Sequence, residues 1–181
     1  MGLAFDFKLQ SVFIMPFFGY IYLSQFGKGE DQVRVKNVFG SKLKVSILYF
    51  LLIPVTMIAT SIPNLIAGRS ISDLFKIYFA QANTYKKMYL NYPSVWSIIT
   101  TDYASDSRWA IMITVLILGA LIYWFYKNDA LAKTKNYIWC AFILSYSCVL
   151  FLPAMHERYG VLYELLAVIL VFAVGRGWVL L

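Results

Sequence analysis

Three consecutive titratable side chains, His156, Glu157 and Arg158, stand between two apolar runs near the end of the chain. The stretch reads Leu152-Pro153-Ala154-Met155-His156-Glu157-Arg158-Tyr159-Gly160, and His156 is the single histidine of the sequence. Upstream, Asn136 to Met155 carries no charge, and downstream Leu165 to Gly175 carries none. Ionisable groups at the edge of apolar segments are costly unless they meet water, a ligand or one another. The types suit phosphate: a guanidinium grips oxyanions through a planar fork, and an imidazole donates a hydrogen bond. If a helix begins at Pro153, its free N–H groups and positive dipole end point at His156 and Arg158. Glu157 then lies in the first turn and orients Arg158 or His156. Glu157, Gly160, Val161 and Glu164 follow an i, i+3, i+4, i+7 row and share a face. The two carboxylates come out about 10 Å apart along that helix, too far for a paired-acid mechanism on a sugar without water between. Glu164, a turn deeper, needs a partner, and Lys8 is the candidate. The plainer alternative is a solvated turn whose side chains snorkel and fix topology.

Other residues have chemistry to offer. Asp102 and Asp106, in Thr101-Asp102-Tyr103-Ala104-Ser105-Asp106, suit a divalent metal or general-base work, against the plainer reading of a solvated loop. Asn91-Tyr92-Pro93-Ser94-Val95-Trp96 reads as a turn ending in an aromatic face of the kind that packs on sugars. Phe5-Asp6-Phe7-Lys8-Leu9-Gln10 places an acid, a base and an amide at the entrance to an apolar run. Its plainer reading is a flank that stops a span. Cys140 and Cys148 fall inside one predicted span. A disulfide between them would not fit a helix and two cysteines make no metal set, so they read as small apolar fillers.

Those residues must be positioned by apolar elements. The chain has 181 residues, 61% hydrophobic and 14% charged, against about 45–50% and about 25% in soluble domains. The excess comes in blocks near the roughly 20 residues that cross a bilayer as helix. The expected fold is all-α and integral to a membrane, one polytopic domain over 1–181 with five spans at about 9–26, 45–66, 109–126, 136–152 and 159–175. Pro16 splits the first, and Pro54 and Pro63 kink or end the second. Between the second and third, Ile71, Leu74, Phe75, Tyr78 and Phe79 fall at helical spacing with Asp73, Lys76 and Gln81 opposite. Ser70 and Asp73 have capping-box spacing, so an amphipathic helix is expected to start there and lie flat in the interface. Trp109 opens the third span, and Tyr123, Trp124 and Tyr126 form an aromatic belt at its exit. No basic n-region leads to a small-residue cleavage site, which excludes a cleavable signal peptide.

The formal charge of +7 points to topology rather than nucleic acid, because the bases lie in short loops between apolar runs. Loop 27–44 holds five Lys or Arg in 18 residues and loop 127–135 three in nine, against five in 40 for loop 69–108. Short basic loops belong in the cytoplasm. Loop 69–108, the Phe5–Gln10 entrance and the His-Glu-Arg turn then share the outer side. Met1 would stand outside ahead of a span with no export signal, so the chain is expected to be the later part of a longer polytopic protein.

Pro153-Ala154-Met155-His156-Glu157-Arg158-Tyr159 resembles the Met-His-Glu-Arg-Tyr signature of bacterial multi-pass glycosyltransferases of the GT-C class, which use polyprenyl-phosphate sugars. Phe7-Lys8-Leu9-Gln10-Ser11-Val12-Phe13, with Pro16 after it, is similar to a Lys-Leu-Gln-Ala-Ile-Phe segment of that family. Asn91-Tyr92-Pro93-Ser94-Val95-Trp96 is similar to its Asn-Ala-Pro-Asn-x-Trp loop. The three stretches follow the family's order and bracket nearly the whole chain. The resemblance implies transfer of a sugar from a polyprenyl-phosphate donor to a glycan or lipid acceptor on the outer face of the bacterial plasma (inner) membrane. It implies Arg158, His156 and Lys8 for the donor phosphate, with Glu157, Glu164 and Gln10 orienting. Asn91 and Trp96 would meet acceptor or sugar. The family's catalytic acid lies upstream, which would leave this chain incomplete and inactive alone, with Asp102 and Asp106 as the fallback. No resident metal site is implied, although a divalent metal stays open as a cofactor. Membrane lipid is a partner and nucleic acid is not. Ser94 departs from the family's Asn, and Gly160 stands where a bulkier apolar residue is common. Two other classes compete: a transporter or flippase segment for lipid-linked glycans, and a non-catalytic membrane subunit. The spans show neither an inverted repeat nor paired broken helices, against the first. An outer polar cluster argues against the second.

Overall fold

A computed structural model describes residues 9–26, 47–73, 76, 80, 85–99, 102–132 and 135–174. The chain is mostly helical. A 3-10 helix, Leu9–Ile14, leads into α1 (Met15–Ser24), and another, Ile47–Leu51, leads into α2 (Leu52–Thr60) and α3 (Ile62–Ile66). A two-residue strand β1 (Tyr89–Leu90) and a 3-10 turn, Val95–Ser97, precede α4 (Tyr103–Lys127). Then come a 3-10 turn at Ala130–Ala132, α5 (Lys135–Phe151), strand β2 (Met155–His156), a 3-10 turn at Glu157–Gly160 and α6 (Val161–Val174).

Local chemistry explains several boundaries. Pro16 sits at the start of α1, where its missing N–H goes unneeded and its fixed φ suits a first turn. Pro63 likewise opens α3, and the expected 45–66 span breaks at Ser61, whose N–H donates to Met57 and Ile58. Residues 71–73, 76 and 80 are helical and exposed. The Ser70 hydroxyl accepts from the Asp73 N–H at 3.2 Å and donates to its carboxylate at 2.8 Å. That hydroxyl, with the Lys76 ammonium at 3.1 Å, holds the Asp73 carboxyl below the usual carboxylate range. Leu74, Phe75, Tyr78, Phe79 and Gln81 of that predicted helix, loop 27–44 and Lys8 lie outside the described residues.

Among the described residues, α4 is the one helix long and apolar enough to cross a bilayer, with a mean hydropathy of 2.0 in its 18-residue window. Its 25 residues rise about 37 Å, beyond the roughly 30 Å hydrocarbon core. Trp109, Val115, Leu116, Tyr123 and Trp124 stand exposed along it, a surface that calls for an apolar medium or partner. Helix α4 starts at Tyr103, ahead of the expected Trp109, because Asp102 is extended and the Asp106 carboxylate accepts the Asp102 N–H at 3.2 Å. The runs at 9–26, 136–152 and 159–175 appear as apolar helices that are shorter than α4.

Three buried clusters tie these helices together. Phe17, Tyr20 and Ile21 of α1 meet Phe125, Leu131, Cys140, Ala141 and Leu144. Farther along α5, Cys148 and Val149 meet Phe13, Tyr92 and Met155. Met88, Trp96 and Ala110 form the third. Both cysteines are buried and neither forms a disulfide. The Trp96 indole N–H donates to the Phe151 carbonyl at 2.7 Å, clamping the loop after β1 to the end of α5. A carbonyl left unpaired in a buried site costs about 1–3 kcal/mol. Trp96→Phe keeps an aromatic face but removes the donor and the five-membered ring of a buried indole, so it is expected to destabilise the chain by at least that amount in equilibrium unfolding in detergent. Unchanged stability would show that the clamp contributes nothing.

Candidate functional site

The turn after α5 departs from the helix expected at Pro153. Pro153 is buried, Ala154 has φ +59°, and Met155 and His156 are extended. The cause lies far away in sequence. β1 and β2 pair in parallel, with Tyr89 opposite Met155 and Leu90 opposite His156. The Ala154 N–H donates to the Met88 carbonyl at 2.9 Å, and Asn91 bridges His156. Backbone groups already paired across this ribbon cannot serve a helix, so α6 begins only at Val161. Left-handed φ also occurs at Asn91, at +55°. Asn tolerates that conformation, whereas for Ala the Cβ costs roughly 1–2 kcal/mol.

His156 is half-buried, with the rings of Tyr85 and Tyr159 centred 6.4 and 6.2 Å from its own. Its Nδ1 accepts from the Arg158 N–H at 3.4 Å, capping the 3-10 turn. An accepting Nδ1 carries no proton, so the neutral ring keeps its hydrogen on Nε2, where it is available to donate. The cap corrects the expectation of free N–H groups under His156 and Arg158: one is already bonded, and the helix end lies at Val161. Glu157 Oε1 stands 4.0 Å from His156 Nδ1, so Glu157 approaches His156 and not Arg158. Arg158 is exposed and has no carboxylate partner among the described residues.

Glu164 was expected to be deep and in need of a partner, but it is exposed. A Cβ on Gly160 would lie 2.8 Å from Glu164 Oε1 and 3.0 Å from the Tyr163 hydroxyl, so the small residue there permits a close approach. Gln10 falls in the opening 3-10 helix. Tyr92 donates to the Tyr163 hydroxyl at 2.9 Å. Its burial, with that hydrogen bond, pushes its pKa above the ordinary phenol range and keeps it neutral.

Beside β1 lies a cleft of about 450 Å³ whose lining includes Lys86, Lys87, Asn91, Trp96, Asp102 and Tyr103. It gathers three residues singled out above, Asn91, Trp96 and Asp102. Asn91 and Asp102 are exposed. Trp96 differs from the open sugar platform expected of it: it is 8% exposed and its N–H is spent on Phe151, so it forms wall. Asp106 is occupied at the start of α4. Tyr85, Lys86 and Lys87 were not singled out from the sequence. The adjacent lysines were a legible signal, but they counted only as loop charge. Ser94 is buried and its hydroxyl has no hydrogen-bond partner among the described residues, while its N–H donates to the Tyr92 carbonyl at 2.7 Å. Among the described residues, no three His, Cys, Asp or Glu side chains gather to hold a metal ion.

No protein-family model, curated protein or solved structure matches the chain.

Ala154 tests the turn. Ala154→Gly removes the Cβ that the left-handed backbone resists and is expected to leave stability unchanged or raised. Ala154→Val adds a β-branch in the same conformation and is expected to cost about 1–3 kcal/mol. Thermal unfolding of both variants in detergent gives the answer, and a harmless Val would mean that position 154 does not adopt this backbone.

Proposed function

We propose that the chain works in sugar transfer, as a GT-C-type glycosyltransferase of a bacterial plasma membrane that uses a polyprenyl-phosphate sugar. The observation that supports this most is the pairing of β1 with β2. It brings together Asn91–Trp96 and Met155–Tyr159, two stretches that carry the resemblance and lie far apart in sequence. The bundle in this reading has five spans: α1 with its 3-10 lead, the broken α2–α3 pair, α4, α5 and α6. The basic loops 27–44 and 127–135 face the cytoplasm, and the ribbon faces outward, with the helix from Ser70 in the interface.

Breaking the bond between sugar and lipid phosphate leaves negative charge on the phosphate. Donors and cations held at that point before the reaction lower the barrier. Arg158 offers an unpaired guanidinium suited to two phosphate oxygens, and His156 offers Nε2–H from a ring held by its own cap. Lys8 would supply a second cation, and Glu157, with Glu164 and Gln10, would orient the set. The acceptor, a glycan or lipid hydroxyl, needs a base. Within this chain Asp102, exposed and lining the cleft beside β1, is the carboxylate we assign to that work. Neither a transporter nor a non-catalytic subunit is favoured by a specific contact.

Arg158→Lys keeps the charge and loses the planar fork. A charged hydrogen bond contributes roughly 1.5–3 kcal/mol, so binding of undecaprenyl-phosphate sugar is expected to weaken tenfold to a hundredfold, and further in Arg158→Ala. Donor affinity unchanged in both variants would overturn the phosphate assignment. Loss of intact lipid-linked glycan transport with donor binding retained would point to a flippase instead.

A further inference from the structure

The cleft beside β1 has features that a phosphate site at Arg158 does not use. Its volume of about 450 Å³ falls within the roughly 300–1,000 Å³ of small-molecule sites. Lys86 and Lys87 are exposed at its edge and, among the described residues, pair with no carboxylate. Asp102 is the one carboxylate in the lining, and its side chain makes no cap bond to α4. Two ammonium groups against one carboxylate leave the cleft positive. The wall is held in place by the Trp96–Phe151 hydrogen bond, the Ala154–Met88 hydrogen bond and the Asn91–His156 bridge.

We infer that this cleft binds the acceptor and selects an anionic saccharide, one that bears a carboxylate or a phosphate. The term acceptor rests on the sugar-transfer reading; the preference for an anionic sugar rests on the cleft itself. Ammonium groups on long flexible stems act as point charges and accommodate an anion without demanding one geometry. Asp102 and the Asn91 amide accept and donate hydrogen bonds in the pattern that sugar hydroxyls need. Trp96, Tyr103 and Met88 supply apolar wall for the ring faces. A lipid headgroup phosphate would be served by the lysines on an open surface and has no sugar ring to pack on the wall of Met88, Trp96 and Tyr103. Asn91, the residue after β1, bridges His156, so an occupant sits beside the same ribbon as the donor-phosphate groups.

The test uses the full chain purified in neutral detergent, with cellobiouronic acid and its neutral counterpart cellobiose titrated by ligand-observed NMR. The acid is expected to bind at least tenfold more tightly. Lys86→Gln with Lys87→Gln should erase that preference while cellobiose binding stays as before, which also confirms that the variant is folded. Asp102→Asn should weaken both sugars. Equal affinities, no saturable binding, or a preference that survives in the lysine variant would overturn the inference. Displacement of the acid by phosphatidylglycerol micelles would also overturn it, assigning the lysines to headgroups. Arg158→Ala separates the two readings: acid binding should persist there, and its persistence beside unaltered donor binding would sink the donor assignment alone.

Discussion

The parallel pairing of Tyr89–Leu90 with Met155–His156 is the contact on which the candidate site depends. It sets Met155 and His156 extended, delays α6 to Val161 and leaves His156 Nδ1 in reach of the Arg158 N–H. A ribbon two residues long cannot hold itself together, since even a two-stranded hairpin is marginal in water. Parallel strands need a long crossover, and here α4 and α5 supply it. The stability therefore comes from elsewhere: Met155 and Tyr92 bury together against α5, and Trp96 ties the loop after β1 to Phe151. Helix packing positions the strands, and the strands position the histidine.

The histidine is held on three sides, by its own cap, by the strand and by the flanking rings of Tyr85 and Tyr159. A ring held in that way presents Nε2 in one direction. The neighbouring Arg158 is free by contrast. A fixed donor beside an adaptable cation suits a ligand whose phosphate must be located while its long lipid tail moves. The cleft edge adds two more bases from the preceding loop, so this end of the molecule gathers positive charge from segments distant in sequence.

Much of the local structure was legible because its causes are local. Ser70 and Asp73 announce a helix start through a hydrogen bond that spans three residues. Pro16 and Pro63, expected to split the first span and to kink or end the second, fall where the helical runs break, and each opens the helix that follows. The α4 run is apolar over an 18-residue window within a helix of 25 residues. Pro153 misled for the opposite reason. It can open a helix, but the carbonyl of Met88 and the strand after it claim the following backbone, and no pattern near Pro153 reveals that. Trp96 reads from the sequence as an aromatic face for a sugar, yet residue type says nothing of which group its N–H bonds. Lys86 and Lys87 were visible as charge, and only the folded chain sets them against Asn91 and Asp102 at one cleft.

The central claim is that a polyprenyl phosphate is held at the ribbon end of the bundle. Photo-cross-linking tests it most directly, using an undecaprenyl-phosphate analogue with a diazirine close to the phosphate and the chain reconstituted in bilayers. The account predicts labelled peptides that span 155–160, competed away by unlabelled undecaprenyl phosphate. Labelling confined to 127–132 at the opposite end of α4, or labelling at 155–160 that the unlabelled lipid does not compete, would contradict it.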